Sequence, residues 1–249
     1  MSTFDDIKLN DGRSIPGIGF GTWKIGSGQT VVDQVDQAVE VGFTHIDTAQ
    51  IYRNEPETGD ALAASGTSRD RFWITSKYAA IDPTLGIYDA CKESVKRLKI
   101  DSLDLYLIHH PMFTNGDIPG AWAEMERVKK DGLAKSIGVS NFSIADLQML
   151  LKHAKIKPAV NQIVLHPYVW KKQAPLMAFQ EEHGIVTEGY SPLAPLTTLP
   201  DGPVNKPIQR IAKRLQVAPE QVLIAWAKAK GAVVLTWVPA TYPWSEVRH

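Results

Sequence analysis

Short apolar runs rich in β-branched and aromatic residues recur along the whole sequence, at 17–20, 44–47, 72–77, 103–109, 136–139, 160–165, 185–190 and 232–236. Between these eight runs, apolar residues return at helical spacing, as in Val31, Val32, Val35, Ala38 and Val39, or Ile87, Ala90, Cys91, Val95 and Leu98. Strict alternation of strand and helix predicts parallel strands joined by helical crossovers. Runs with little polar alternation predict strands buried on both faces. Eight such units point to an α/β fold of the (β/α)8 barrel type, in preference to an open doubly wound sheet.

The punctuation between elements agrees. Ser143 and Asp146 form a capping-box pattern ahead of Leu147, Leu150 and Leu151, Pro219 suits the first turn of a helix, and Gly231 suits a helix terminator. Before the first barrel strand, "IKLNDGRSIP" carries an Asn-Asp-Gly turn between two extended pieces. That predicts a β-hairpin outside the barrel, plugging one end. No linker or low-complexity run interrupts the chain, so one domain is expected over 1–249, with 237–249 as an atypical tail.

Lys+Arg and Asp+Glu are both 27, so no net field draws the chain to nucleic acid or to an acidic membrane. Cys91 is the only cysteine, which excludes an internal disulfide, and its helical spacing places it in the core. The first twelve residues lack the basic and apolar regions of a signal peptide, and no apolar run has the length of a membrane span. A cytoplasmic location is expected.

The active site of such a barrel lies at the C-terminal ends of its strands. Asp47, Lys77, His109 and His110, Ser140 and Asn141, Gln162 and His166, and Tyr190 and Ser191 stand at those ends, with Tyr52 just beyond the second strand. A packing-only barrel needs few polar residues there. A phenol ionises near pH 10, and a neighbouring lysine ammonium is expected to lower that value. Asp47 would keep the lysine charged, and a histidine would orient a carbonyl oxygen. Asp, Tyr, Lys and His on three neighbouring strands form a proton-delivery site suited to reducing a carbonyl.

These residues sit in "GIGFGTW" (17–23), "HIDTAQIYRNE" (45–55), "ITSK" (74–77), "DLYLIH" (104–109), "IGVSNF" (137–142), "VNQI" (160–163) and "YSPL" (190–193). In that order the segments resemble the aldo-keto reductase family, over roughly residues 8–235. The resemblance implies reduction of a small aldehyde or ketone with NADPH. It implies Tyr52 as proton donor, Lys77 and Asp47 tuning it, and His109 positioning the substrate. It also implies Ser140, Asn141 and Gln162 on the nicotinamide carboxamide, Tyr190 stacked on the ring, and Ser191 and Leu193 along the pyrophosphate. Trp23 and His110 are expected at the substrate. No metal is expected, and the oligomeric state, monomer or dimer, is left open.

Other readings compete at single motifs. The Gly17-x-Gly19-x-Gly21 run lacks the spacing of a dinucleotide fingerprint. His45, Asp47, His109 and His166 invite a barrel metal hydrolase, which leaves Tyr52 and Gln162 without a role. The sequence departs from the family after the eighth strand, where Trp237 replaces an expected lysine and Pro239 and Pro243 oppose a helix. The closing C-terminal helix is therefore expected to be missing, with Arg248 as a stand-in phosphate contact. The competing reading from another class is a non-catalytic or cofactor-impaired truncated relative, either a defective product or a nucleotide-binding protein.

Overall fold

The computed structural model of the protein describes residues 4–237. An antiparallel hairpin comes first, β1 (Ile7–Lys8) and β2 (Ser14–Ile15). The chain then runs β3 (Ile18–Gly21), α1 (Gln29–Glu40), β4 (His45–Asp47), α2 (Glu55–Ala64), β5 (Trp73–Tyr78), α3 (Ile87–Arg97) and β6 (Leu103–Ile108). It continues through α4 (Ile118–Lys130), β7 (Ala134–Ser140), α5 (Ile144–His153), β8 (Val160–Val164), α6 (Trp170–Glu182) and β9 (Val186–Tyr190). Two helices, α7 (Asn205–Leu215) and α8 (Pro219–Ala229), precede β10 (Val233–Thr236).

Strands β3 to β10 form a closed barrel of eight, each parallel to its neighbours. Closure is made by β10 beside β3, with Val234 opposite Ile18. Every residue of β5 and of β6 is buried, because helices cover the outside and side chains fill the inside. The (β/α)8 expectation is met.

The local signals also hold. Ser143 and Asp146 form a reciprocal capping box on α5, and α8 opens on Pro219. Cys91 is fully buried in α3, where burial pushes its thiol well up and keeps it unreactive. Gly19 in β3 is a packing requirement, because a Cβ there would lie 2.7 Å from His45 Nδ1 and 2.7 Å from Leu235 Cδ2.

The hairpin closes the N-terminal mouth of the barrel. Leu9 and Ile15 pack with Trp73, Leu105, Leu107, Ala159, Val160 and Val233 inside the barrel. Polar contacts seal its edge: Arg13 reaches Asp104 at 3.0 Å, Lys129 reaches Asp11 at 2.6 Å, and Asn10 donates to the Pro158 carbonyl at 2.8 Å. That leaves the opposite end free for chemistry. No helix among the described residues is long and apolar enough to cross a membrane. The expectations for Pro239, Pro243, Arg248 and a missing closing helix fall on residues 238–249, outside the described residues.

Candidate active site

Strand β4 delivers Asp47, and the chain then makes a single 3-10 turn, Gln50–Tyr52, which carries Tyr52 to the barrel mouth. The polarity of this segment serves to peg that turn. Gln50 donates to the Ala90 carbonyl at 2.9 Å and to Ser94 Oγ at 3.1 Å, while its own carbonyl accepts from Ala79 N at 3.1 Å. Beyond Tyr52, the buried Asn54 donates to the Thr22 carbonyl at 2.9 Å and accepts from the Thr22 and Thr48 hydroxyls. Arg53 between them takes a left-handed φ of 58°.

Lys77, fully buried on β5, donates to Asp47 Oδ1 at 2.5 Å, to the Thr48 carbonyl at 2.9 Å and to Tyr52 Oη at 3.3 Å. The edge of the His109 ring meets Tyr52, with centroids 5.5 Å apart and planes at 81°. The four residues are thus brought together. Burial opposes the charge on Lys77, but Asp47 and Tyr52 outweigh it and hold the ammonium above its usual pKa. Burial raises the Tyr52 phenol and Lys77 pulls it down, with a net rise. The expected lowering by Lys77 is therefore outweighed by desolvation, and the phenol keeps its proton at neutral pH. Burial, Lys77 and His110 hold His109 down to about 3, so its ring is neutral.

A polar floor adjoins this group. Asn141 donates to Ser140 Oγ at 3.0 Å and to the His109 carbonyl at 3.1 Å, and its own carbonyl accepts from Tyr190 Oη at 2.9 Å. Ser140 Oγ donates to the Gln162 carbonyl at 2.9 Å. Gln162 Nε2 donates to Asp47 Oδ2 at 2.9 Å and to Glu188 Oε2 at 3.1 Å. Asn141 and Ser191, which follow β7 and β9, take left-handed φ values of 61° and 55°.

A cleft of about 340 Å³ opens over these side chains. Asp47, Tyr52, His109, His110, Trp23, Ser140, Asn141, Gln162, Tyr190 and Ser191 all line it. Lys77 lies beneath, reached through Tyr52, and Leu193 is buried and does not line the cleft. His166 is buried with its ring edge-on to Tyr168 and does not line the cleft. Ile51, Met112, Phe113 and Thr236 also line the walls without having been expected there, as does Trp237, which the sequence marked only as a departure from the family; Glu188 was not expected at the site either. A carboxylate in the otherwise uncharged run "IVTEGYSPL" was the available signal for Glu188.

Among the described residues no group of three or more His, Cys, Asp or Glu is arranged to hold a metal ion. The floor does suit a nicotinamide. A primary carboxamide carries two N–H donors, and the side-chain oxygens of Ser140, Asn141 and Gln162 stand in the cleft lining as acceptors beside the Tyr190 ring. His109 Nδ1 is a buried nitrogen without a protein partner at the edge of the same cleft.

A parallel eight-stranded barrel with a buried Asp-Lys pair under a tyrosine at its C-terminal mouth defines a class of barrel oxidoreductase. The model of the aldo/keto reductase family matches residues 17–242, and the chain belongs to that family. It is 41% identical over 230 residues to an NAD/NADP-dependent indole-3-acetaldehyde reductase of Schizosaccharomyces pombe, covering 89% of this chain and 80% of that protein. It is 39% identical over 230 residues to the methylglyoxal reductase DkgA of Salmonella typhimurium, covering 92% of this chain and 81% of the relative. The crystal structure of an aldo/keto reductase from Brucella melitensis superposes with a TM-score of 0.87 at 35% identity, over 99% of this chain and 92% of that one.

Proposed function

We propose that this protein reduces a small aldehyde or ketone to the corresponding alcohol with NADPH, and that Tyr52 delivers the proton. The observation that carries the reading is the hydrogen-bonded chain from Asp47 through Lys77 to Tyr52, ending in a cleft beside a neutral His109. When bound, NADPH supplies the hydride. As the carbonyl oxygen gains charge, the Tyr52 hydroxyl gives it a proton, and the phenolate left behind is stabilised by the Lys77 ammonium. Asp47 keeps that ammonium charged in a buried place. Neutral His109 orients the carbonyl without competing as an acid.

Ser140, Asn141 and Gln162 would hold the carboxamide, Tyr190 would face the ring, and Ser191 and Leu193 would lie along the pyrophosphate. Trp23 and His110, on the cleft wall, would meet the substrate. An aldehyde substrate is supported by the two curated relatives, one named for indole-3-acetaldehyde and the other for methylglyoxal. NADPH is the cofactor that the family resemblance implies. A single-domain protein acting in the cytoplasm belongs to the same reading.

Replacing Tyr52 by phenylalanine removes the proton while keeping the ring against His109. Tyr52→Phe is expected to lower turnover by at least about 10²-fold with NADPH affinity nearly unchanged. Carbonyl reduction at the wild-type rate in that variant contradicts the assignment.

A further inference from the structure

Beneath the cleft floor, two carboxylates meet one amide group. Gln162 Nε2 carries two N–H bonds, and it contacts Asp47 Oδ2 at 2.9 Å and Glu188 Oε2 at 3.1 Å. A carboxylate oxygen of Asp47 can only accept, so the nitrogen and not the oxygen of Gln162 must face Asp47, and Glu188 lies on the same side. Both donors are then used inside the barrel, and the Gln162 carbonyl oxygen is what remains for the cleft that this residue lines. Glu188 is fully buried on β9, directly opposite Gln162 in the β8–β9 register.

We propose that Glu188 is a positioning residue. By accepting one N–H of Gln162 while Asp47 accepts the other, it locks the Gln162 amide with its carbonyl toward the cleft. This rests on the nicotinamide role proposed above for Gln162, and it adds a residue that lies outside the cleft lining. Without Glu188 one N–H loses its buried acceptor and Asp47 alone holds the amide, which is then less firmly fixed.

The surroundings fit a proton on Glu188. Its Oε1 has no hydrogen-bond partner and lies 3.7 Å from His45 Nε2. From β4, His45 is held neutral at about 3 by burial and by Lys77, so it offers no positive charge. Asp47, also on β4, adds a negative charge, and Lys77 on β5 is engaged by Asp47. The flanking residues of β8 and β10 are Gln162 and Val233, which do not titrate. Burial first and then Asp47 push the Glu188 carboxyl up to about 8. A neutral acid still accepts through its carbonyl oxygen, and glutamine reproduces that arrangement.

The test reads the Gln162 side-chain amide by 15N–1H NMR, assigned by its loss in Gln162→Ala, and in parallel titrates NADPH. In wild-type protein both Gln162 amide protons are expected to exchange slowly, because both are engaged by buried carboxyl oxygens. Glu188→Leu is expected to lose protection at one proton and to weaken NADPH binding about tenfold, whereas Glu188→Gln stays within about twofold. In a Gln162→Ala background the Glu188→Leu change should have no further effect on affinity. An unchanged Gln162 amide in folded Glu188→Leu overturns the proposal. If that variant does not fold, a wild-type Gln162 amide whose two protons exchange freely overturns it equally. A protected amide in a protein that binds no NADPH upholds the positioning role and instead defeats the cofactor reading.

Discussion

Three buried residues give the protein an unusual pH dependence of stability. His45 and His109 are held near 3 in the folded protein against an ordinary 6.5, and Glu188 near 8 against an ordinary 4.5. Below pH 6.5 the unfolded chain binds protons that the two folded histidines refuse, so stability falls as pH drops toward 3. Between 6.5 and 8 the folded Glu188 keeps a proton that the unfolded chain has released, so stability falls as pH rises. Each proton contributes a slope of about 1.4 kcal/mol per pH unit. Thermal unfolding between pH 5 and 8.5 should therefore peak near neutrality, and Glu188→Gln should flatten the alkaline side. An alkaline limb of the same slope in Glu188→Gln would show that another group is responsible. None of this was legible in the sequence. Strand periodicity says that Glu188 lies on a strand, but its neighbours across the barrel come from segments more than a hundred residues away. The tetrad was legible because each member ends a strand or follows one. The net rise of the Tyr52 phenol was not, because burial had to be weighed against Lys77.

At the scale of elements, the barrel strands lie within about two residues of the sequence expectations, since fully apolar runs bounded by helical repeats leave little freedom. The hairpin was legible from its Asn-Asp-Gly turn. Two features were not. The connection between β9 and β10 holds two helices, α7 and α8, broken at Gln216 with a left-handed φ of 57°, where strict alternation suggests one. The role of "GIGFG" also stayed hidden, because close approach inside a barrel depends on the facing strand. Gly19 lacks room for a Cβ, whereas at Gly21 the nearest atom, the Thr236 carbonyl oxygen, would be 3.9 Å away. Gly19→Ala is expected to destabilise by about 1–3 kcal/mol through overpacking, and Gly21→Ala to stay within about 0.5 kcal/mol. Urea unfolding of the pair checks this. Equal midpoints would mean that β3 and β10 shift apart without cost.

Across the whole molecule, the two ends of the barrel are divided between stability and chemistry. At the bottom, Asp104 gathers Arg13, Arg69 and Lys135 within 3.0 Å and fixes the hairpin over the mouth. At the top, Asp47 gathers Lys77 and Gln162 and so links the proton chain to the cleft floor. The account stands on a nicotinamide cofactor lying on that floor, with Trp23 and Trp237 on the surrounding walls as reporters. The most direct measurement is a titration of the folded protein with NADPH, and separately with NADH, followed by tryptophan fluorescence. Saturable quenching with a Kd of order 1 μM is predicted for NADPH, equivalent to about −8 kcal/mol. A folded protein whose fluorescence responds to neither nucleotide, and which retains none of either on dialysis, would contradict it.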